Sequence, residues 1–458
     1  MIWTRVDVRC GRVDDRRPQG RRMAPRLTDD VDSRRQASTG RKGWLVIAVT
    51  LAVSLSATAG QMAAGQRSTG QTPAAASPPQ AGQPEADPQV PATHTSRNFV
   101  LHTDLPPTSA RELLKRLETM LKIISRYWGR ANQQVIECYV VRDLARWPQG
   151  SMDPEALSSL RGGGGLTKGR VARRGNRLLS KAIVYAVADR GTPQHEAVHA
   201  YCIQAFGRTG PLWYAEGMAE MGQYWVEGDS SVHCPQLVVD YLRNAKLKSL
   251  NAIVNSRETT GDSWQNYAWR WALCHLLANN SNYAPRFRPL GLALLNKRDV
   301  SFETVYGSMA PEIAFEYRFF LKHLDRGYRV DLCSWDWKAK YRRPRGESRV
   351  VSRIHAARGW QPSRLLLRQG ERYAFTAEGT WSLTADGQSL SAAGGKSDQG
   401  RLVGAVFDDY ALTDAFPLGA SGQFTAARDG KLVLRCQDRW HDLADNKGTL
   451  TVRISVLP

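Results

Sequence analysis

Histidine and cysteine are scarce in this chain, with 9 His and 7 Cys among 458 residues. The cysteines stand apart at Cys10, Cys138, Cys202, Cys234, Cys274, Cys333 and Cys436, so none has the spacing of a zinc cluster. The six beyond Cys10 are left as disulfide partners or buried thiols, and Cys202 and Cys274 fall on apolar helix faces. The apolar run Trp44 to Leu55 is twelve residues long, short of the roughly 20 that a membrane-spanning helix needs. The glycine run Gly162 to Gly165 continues as Leu-Thr-Lys168 rather than Gly-Lys-Ser/Thr. It is therefore no phosphate cradle and reads as a flexible surface loop; nothing in the sequence requires it to be a lid. The formal charge is +20, yet no helix-turn-helix, zinc-finger or RNA-reading motif accompanies it. That argues against nucleic acid as a partner and for solubility and acidic partners.

What is present is concentrated in one place. His195-Glu196-Ala-Val-His199 puts two imidazoles one helical turn apart on one face, where both reach a single metal ion. With so few histidines, chance would produce this pattern in roughly one such chain per hundred. Thr192 reads as an N-cap and Pro193 as the first helical residue, which gives the helix a defined start. Downstream, Glu216 and Glu220 lie at i and i+4 of a second helix. Glu216 completes a three-ligand set with one position left open, the inventory of a hydrolytic zinc centre. The competing reading is a satisfied pair of core histidines beside a surface carboxylate.

These residues resemble the gluzincins, zinc peptidases that combine H-E-x-x-H with a downstream Glu in a Trp-x-x-Glu-Gly-x-Ala setting. Trp213, Glu216, Gly217 and Ala219 match that setting, while Ala215 stands where many members have Asn. The resemblance covers residues 98–325 and implies His195, His199 and Glu216 as zinc ligands and Glu196 as general base. In such a centre the metal lowers the pKa of its water to about 7 and polarises the substrate carbonyl. Glu220 is placed to accept a hydrogen bond from a ligand histidine and fix its tautomer. Its alternative is a solvated helix carboxylate. Tyr267 is a candidate oxyanion donor, although its pattern fits first an aromatic packed on an amphipathic helix.

Around this motif, Phe99–Thr103, Val135–Val141 and Lys181–Ala188 read as strands. Thr108–Trp128 and the stretches 236–247, 264–279, 285–296 and 311–324 read as helices. The expectation is an α+β catalytic domain over 98–328. Lys181–Ala188, just before the zinc helix, would edge the cleft and pair with an extended substrate, as in a gluzincin.

The N-terminal 43 residues hold twelve Lys and Arg against six Asp and read as unstructured. With Trp44–Leu55 and the small-x-small exit Ala57-Thr-Ala59 they form an export signal cleaved after Ala59, at the end of a 1–59 extension. An uncleaved signal anchor, tethering the protein to a membrane, is the alternative. Residues 60–97, with Pro73, Pro78, Pro79, Pro84, Pro88 and Pro91, read as a flexible linker.

After a second linker at 329–348, short strands alternate with the turn signals Gln369-Gly370, Asp386-Gly387 and Asp429-Gly430. That spacing predicts a β-sandwich over 349–458. Trp360-Gln-Pro-Ser, Gly370-Glu-Arg-Tyr and the run from Cys436 to Gly448 resemble the calcium-dependent galactose-binding lectins of the PA-I type. That resemblance implies Asp438, Asp445 and Asn446 as calcium ligands, whose hard oxygens suit the ion. An ion-free Asx-rich hairpin is the alternative. Two functions follow: an exported zinc peptidase on peptide or protein substrates, or a catalytically idle surface protein that binds glycan or protein through the sandwich.

Overall fold

The computed structural model describes residues 90–174, 177–256 and 262–458, with the backbone of Thr4–Arg9. The export signal and most of the first linker lie outside the described residues. Among the described residues, no helix is long and apolar enough to cross a membrane. The chain is α+β.

The first part is built on a six-stranded sheet of order β1-β5-β6-β4-β3-β2. Its strands are β1 (Thr4–Arg9), β2 (Ala92–Thr95), β3 (Phe99–Thr103), β4 (Ile136–Val141), β5 (Gly165–Arg174) and β6 (Arg177–Val187). The central three, β3, β4 and β6, run parallel, and β5 returns antiparallel to β6. Helix α1 (Pro107–Trp128) joins β3 to β4 and buries Ala110, Leu113, Leu114, Leu117 and Leu121. That three-to-four spacing lines one face and packs on the sheet. Helix α2 (Pro154–Arg161) precedes β5 and is capped by the Asp153 side chain, which accepts from Glu155 N.

Four expectations are corrected here. Gly165–Lys168 are not loop but the start of β5. Lys181–Ala188 does not edge the sheet, because β6 pairs with β4 on one side and β5 on the other. The N-terminal extension, read as unstructured, contributes β1, which pairs antiparallel with the outer side of β5. Order also begins before Asn98, since β2 pairs with β3 from Ala92. The pairing of β1 with β5 is long-range. Strands β2 and β5 pair instead with the strands that follow them, and in both the Pro- and Gly-rich local composition hides the strand.

A layer of helices follows: α3 (Thr192–Phe206), α4 (Leu212–Gln223), α5 (Gln236–Asn244), α6 (Leu250–Val254), α7 (Trp264–Asn279), α8 (Ala284–Leu295), α9 (Phe302–Tyr306), α10 (Ala310–Lys322) and α11 (Val330–Cys333). Helices α3, α4 and α7 are buried on nearly all sides, so their few polar residues must find partners inside the protein.

Residues 349–456 form two facing sheets. One has the order β11-β10-β14-β8, with β12 also on β10, and the other β13-β9-β15-β7. The strands are β7 (Arg349–His355), β8 (Gln361–Leu367), β9 (Arg372–Ser382), β10 (Leu402–Asp408), β11 (Ala411–Leu412), β12 (Phe416–Pro417), β13 (Ser421–Thr425), β14 (Gly430–Cys436) and β15 (Lys447–Val456). Between the sheets lie Leu365, Tyr373, Trp381, Leu402, Leu432, Leu450 and Ile454. Strand β10 is buried along both faces. Leu402 and Val406 point into the sandwich core, while Val403, Ala405 and Phe407 pack outward on Phe315 and Trp335. A strand covered on both sides reads as an unbroken apolar run, and Leu402–Phe407 does.

The stretch 329–348 is more than a linker, since Trp335 and Trp337 are pinned to the helical part through Glu316 on α10. The Glu316 carboxylate, 5 % exposed, accepts from Asn280 Nδ2 at 2.8 Å, Trp335 N at 2.8 Å and Trp337 Nε1 at 2.9 Å, and from the Tyr283 hydroxyl. Removing it strands four donors, three of them on buried residues and one on the half-buried Trp337. Glu316→Ala is therefore expected to cost about 3 kcal/mol or more. A denaturant unfolding curve whose midpoint matches wild type would contradict this role.

Candidate functional site

The centre of the molecule is the pair α3 and α4. Helix α3 starts at Thr192, with Gly191 at the cap position. Thr192 is thus the first helical residue rather than the cap. Its N–H and hydroxyl donate to Asp189, at 2.6 and 2.7 Å. On the buried face of α3, His195 Nε2 and His199 Nε2 lie 3.2 Å apart. From α4, Glu216 Oε2 comes within 3.5 Å of His195 Nε2 and 3.4 Å of His199 Nε2. The two imidazoles and the carboxylate offer ligand atoms all within 4.8 Å of one another, an arrangement that could hold a metal ion. Glu216 Oε1 is buried and has no hydrogen-bond partner. An unsatisfied buried carboxylate oxygen is costly, and a cation at this point would satisfy it.

The surroundings tune these groups. Burial alone would lower the pKa of His195, but the carboxylates of Glu216 and Glu220 outweigh it and hold the imidazole well above its ordinary 6.5. Burial would raise Glu216, yet His199 and His195 bring it down to about 2. Glu220 Oε1 stands 3.3 Å from His195 Nδ1, the nitrogen turned away from Glu216. It is buried, not the solvated carboxylate that was the alternative. Glu196 is 2 % exposed. Burial raises its pKa, and the neighbouring histidines and the Thr167 hydroxyl only partly offset this. Thr167 Oγ1 on β5 lies 2.6 Å from Glu196 Oε2.

His195 and Glu196 open on a cavity of about 790 Å³. One wall is α2 and Gly162–Leu166, and the other carries Tyr224, Val238, Trp264 and Tyr267. The Tyr267 ring centroid is 6.0 Å from that of His195, so this tyrosine faces the cleft and packs against the histidine at once. No Lys or Arg lines the cavity among the described residues, although the chain as a whole is strongly basic.

Sequence reasoning missed Thr167 and Gly165. The only signal was the glycine run, and it was read as a loop. The thiols are also settled among the described residues. Cys138, Cys202, Cys234, Cys274 and Cys436 are buried and free, and Cys333 is free and partly buried.

The second candidate cluster is assembled in part. Asn446 Nδ2 donates to Asp438 Oδ2 at 2.9 Å, while Asn446 Oδ1 is buried without a partner. Asp445 is exposed at the end of the short turn Leu443–Asp445. In the same loop Trp440 packs on Phe319 and His323 of the helical part, at centroid distances of 4.9 and 4.8 Å.

No family model matches the chain, and no curated protein matches it. Among solved structures, it is similar to the N-terminal domain of EclA, a PllA-like lectin. That match has 16 % identity over 23 % of this chain and 95 % of that one, with a TM-score of 0.21. It is also similar to IMPa from Pseudomonas aeruginosa in complex with an O-glycopeptide, at 14 % identity over 48 % of this chain and 23 % of that chain, TM-score 0.16. A third similarity is to the IMPa metallopeptidase in complex with T-antigen, at 11 % identity over 74 % of this chain and 38 % of that one, TM-score 0.16. The matches thus span well under half the length of the two metallopeptidase structures.

The charge pattern predicts how metal-stripped protein responds to pH. His195, raised above 6.5, contributes stability that is lost as pH rises through its folded value. Glu216, lowered to about 2, contributes stability that is lost as pH falls from 4.5 towards 2. Metal-free protein should therefore have its highest Tm between these limits and melt lower at pH 8 than at pH 6. A divalent metal requires the imidazoles unprotonated, so its stabilising effect should be larger at pH 8. Thermal melts with and without metal at both pH values check both signs.

Proposed function

We propose that this chain is an exported zinc peptidase, with His195, His199 and Glu216 as zinc ligands. The observation that carries the reading is the pairing of a buried His-His-Glu set with a second buried carboxylate, Glu196, on the wall of an open cleft. Two imidazole nitrogens and one carboxylate oxygen, with no sulfur, are a donor set typical of catalytic zinc. When bound, zinc would acidify a water and polarise the substrate carbonyl.

The chain's own groups do the rest. Glu196 takes the proton from the attacking water and delivers it to the leaving amine. Its raised pKa suits a group that must both accept and return a proton near neutrality. Glu220 keeps the proton of His195 on Nδ1 and leaves Nε2 to face Glu216 and the metal. Tyr267 lines the cleft as hydrogen-bond donor to the oxyanion formed from the carbonyl oxygen.

The sandwich supplies a second, binding function. Asp438 and Asn446 are drawn together, and Asn446 Oδ1 is a buried acceptor without a donor, which suits a calcium ion in the lectin-like loop with Asp445 beside it. Carbohydrate is the partner this favours. The alternative, an idle site on a glycan- or protein-binding protein, gives no role to a buried base beside the histidines.

The test uses full-length protein, its metal content and a peptide library that includes O-glycosylated members. Stoichiometric zinc is expected, with turnover that Glu196→Gln reduces at least about 100-fold while zinc is retained. Because Glu196, Glu220 and Glu155 line the cavity and, among the described residues, no Lys or Arg does, peptides with Asp or Glu beside the scissile bond should be depleted among the products. Zinc without turnover on any member would move the function to the sandwich, and absence of zinc would end the peptidase reading. Calcium should raise Tm in wild type and not in Asp438→Ala.

A further inference from the structure

We propose that Gly165 and Thr167 form a cradle on β5 that fixes the Glu196 carboxylate, with Thr167 as the positioning residue for the general base. The inference rests on the peptidase reading and adds to it the element that aims the base. Residues two apart in a strand share one face, so Gly165 and Thr167 both face α3 at Glu196. Thr167 is fully buried. Its single hydroxyl proton lies between two acceptors on one residue, Glu196 Oε2 at 2.6 Å and Glu196 O at 3.0 Å. The shorter contact, to an ionisable carboxyl, is the stronger one.

Gly165 supplies the space. A Cβ at that position would stand 2.6 Å from Glu196 Cγ, 2.7 Å from Glu196 Oε1 and 2.8 Å from Thr192 Cγ2. The carboxylate is therefore bounded by backbone on one side and by a hydroxyl on the other. With Oε2 held by Thr167, Oε1 is the oxygen left for the proton of the attacking water. A carboxylate in this position must not rotate towards the metal and become a fourth ligand. Nor can it swing away from the water, since a misplacement of about 1 Å can cost on the order of 100-fold in rate.

A merely structural hydroxyl would predict something different. If Thr167 only satisfied its own buried oxygen, the carbonyl of Glu196 would suffice, and the carboxylate would keep its place without the hydroxyl. The isosteric Thr167→Val separates the two, and Thr167→Ser restores the hydroxyl. Full-length protein of each kind is compared for zinc content, Tm, kcat and KM on a cleaved peptide, and for the position of Glu196 in crystals.

In Thr167→Val, zinc should stay stoichiometric, KM should change less than about twofold, and kcat should fall by about 10- to 100-fold. Its Glu196 carboxylate should be rotated or disordered. Thr167→Ser should return kcat to within a few-fold of wild type with the carboxylate in place. Gly165→Ala should also displace Glu196 and lower kcat. A Thr167→Val protein with Glu196 unmoved and kcat unchanged overturns the proposal. A kcat loss that merely tracks lost folding or lost zinc overturns it as well. Should wild type show no turnover, the peptidase reading fails by itself, and the crystal comparison still decides whether Thr167 holds the carboxylate.

Discussion

The structure turns on burying the Glu216 carboxylate, 1 % exposed, between two imidazoles at the heart of a helical layer. A charge taken out of water is tolerable only beside compensating groups, and here they come from a neighbouring helix. Helix α4 must then approach α3 and α7 more closely than side chains normally allow. Two glycines of α4 permit this. A Cβ at Gly222 would stand 2.6 Å from Val198 Cγ2 of α3, and one at Gly217 would stand 2.8 Å from the Arg270 carbonyl oxygen of α7. Gly217 adjoins Glu216 in sequence, so the spacing that seats the helix also seats the carboxylate. The sheet completes the enclosure by laying β5 over the start of α3.

The second part of the molecule is attached by packing rather than by a tether. The outer face of β10 meets Phe315 and Trp335, and Glu316 anchors the intervening chain through four donors. Arg435 is 5 % exposed, with its guanidinium 3.5 Å from the Trp440 ring centroid. It also donates through Nε to the Cys436 carbonyl. Burial lowers its pKa to about 10, still far above neutrality, so the charge persists and the indole face and carbonyl oxygens accommodate it. The loop that carries Trp440 is thus used from one side as a joint with α10.

The parts of this arrangement that were legible in the sequence are those encoded locally. The turn-to-turn spacing of His195 and His199, and of Glu216 and Glu220, fixes which side chains share a face, and a helix imposes that geometry wherever it packs. The helix at 264–279 and the apolar strand at Leu402–Phe407 were readable for the same reason. Strand β5 was not, because the glycine run that leads into it, Gly162–Gly165, has low strand preference and masks its pairing with the adjacent strand β6. Thr167 touches Glu196 across 29 positions, a separation at which no local pattern operates. Glu316 gave no sign of its role for the same reason, since its donors come from two other stretches of chain, Asn280 with Tyr283 and Trp335 with Trp337. The expectation that Lys181–Ala188 would edge the cleft failed because an additional strand, invisible to periodicity, lies outside it.

The central claim is that His195, His199 and Glu216 hold zinc. X-ray absorption at the zinc edge, on protein purified without added metal, tests it most directly. The account predicts one zinc per chain with nitrogen and oxygen neighbours at about 2.0–2.2 Å and the multiple-scattering signature of two imidazoles, the latter lost in His199→Ala. An absent zinc edge would contradict it, and so would sulfur neighbours at about 2.3 Å.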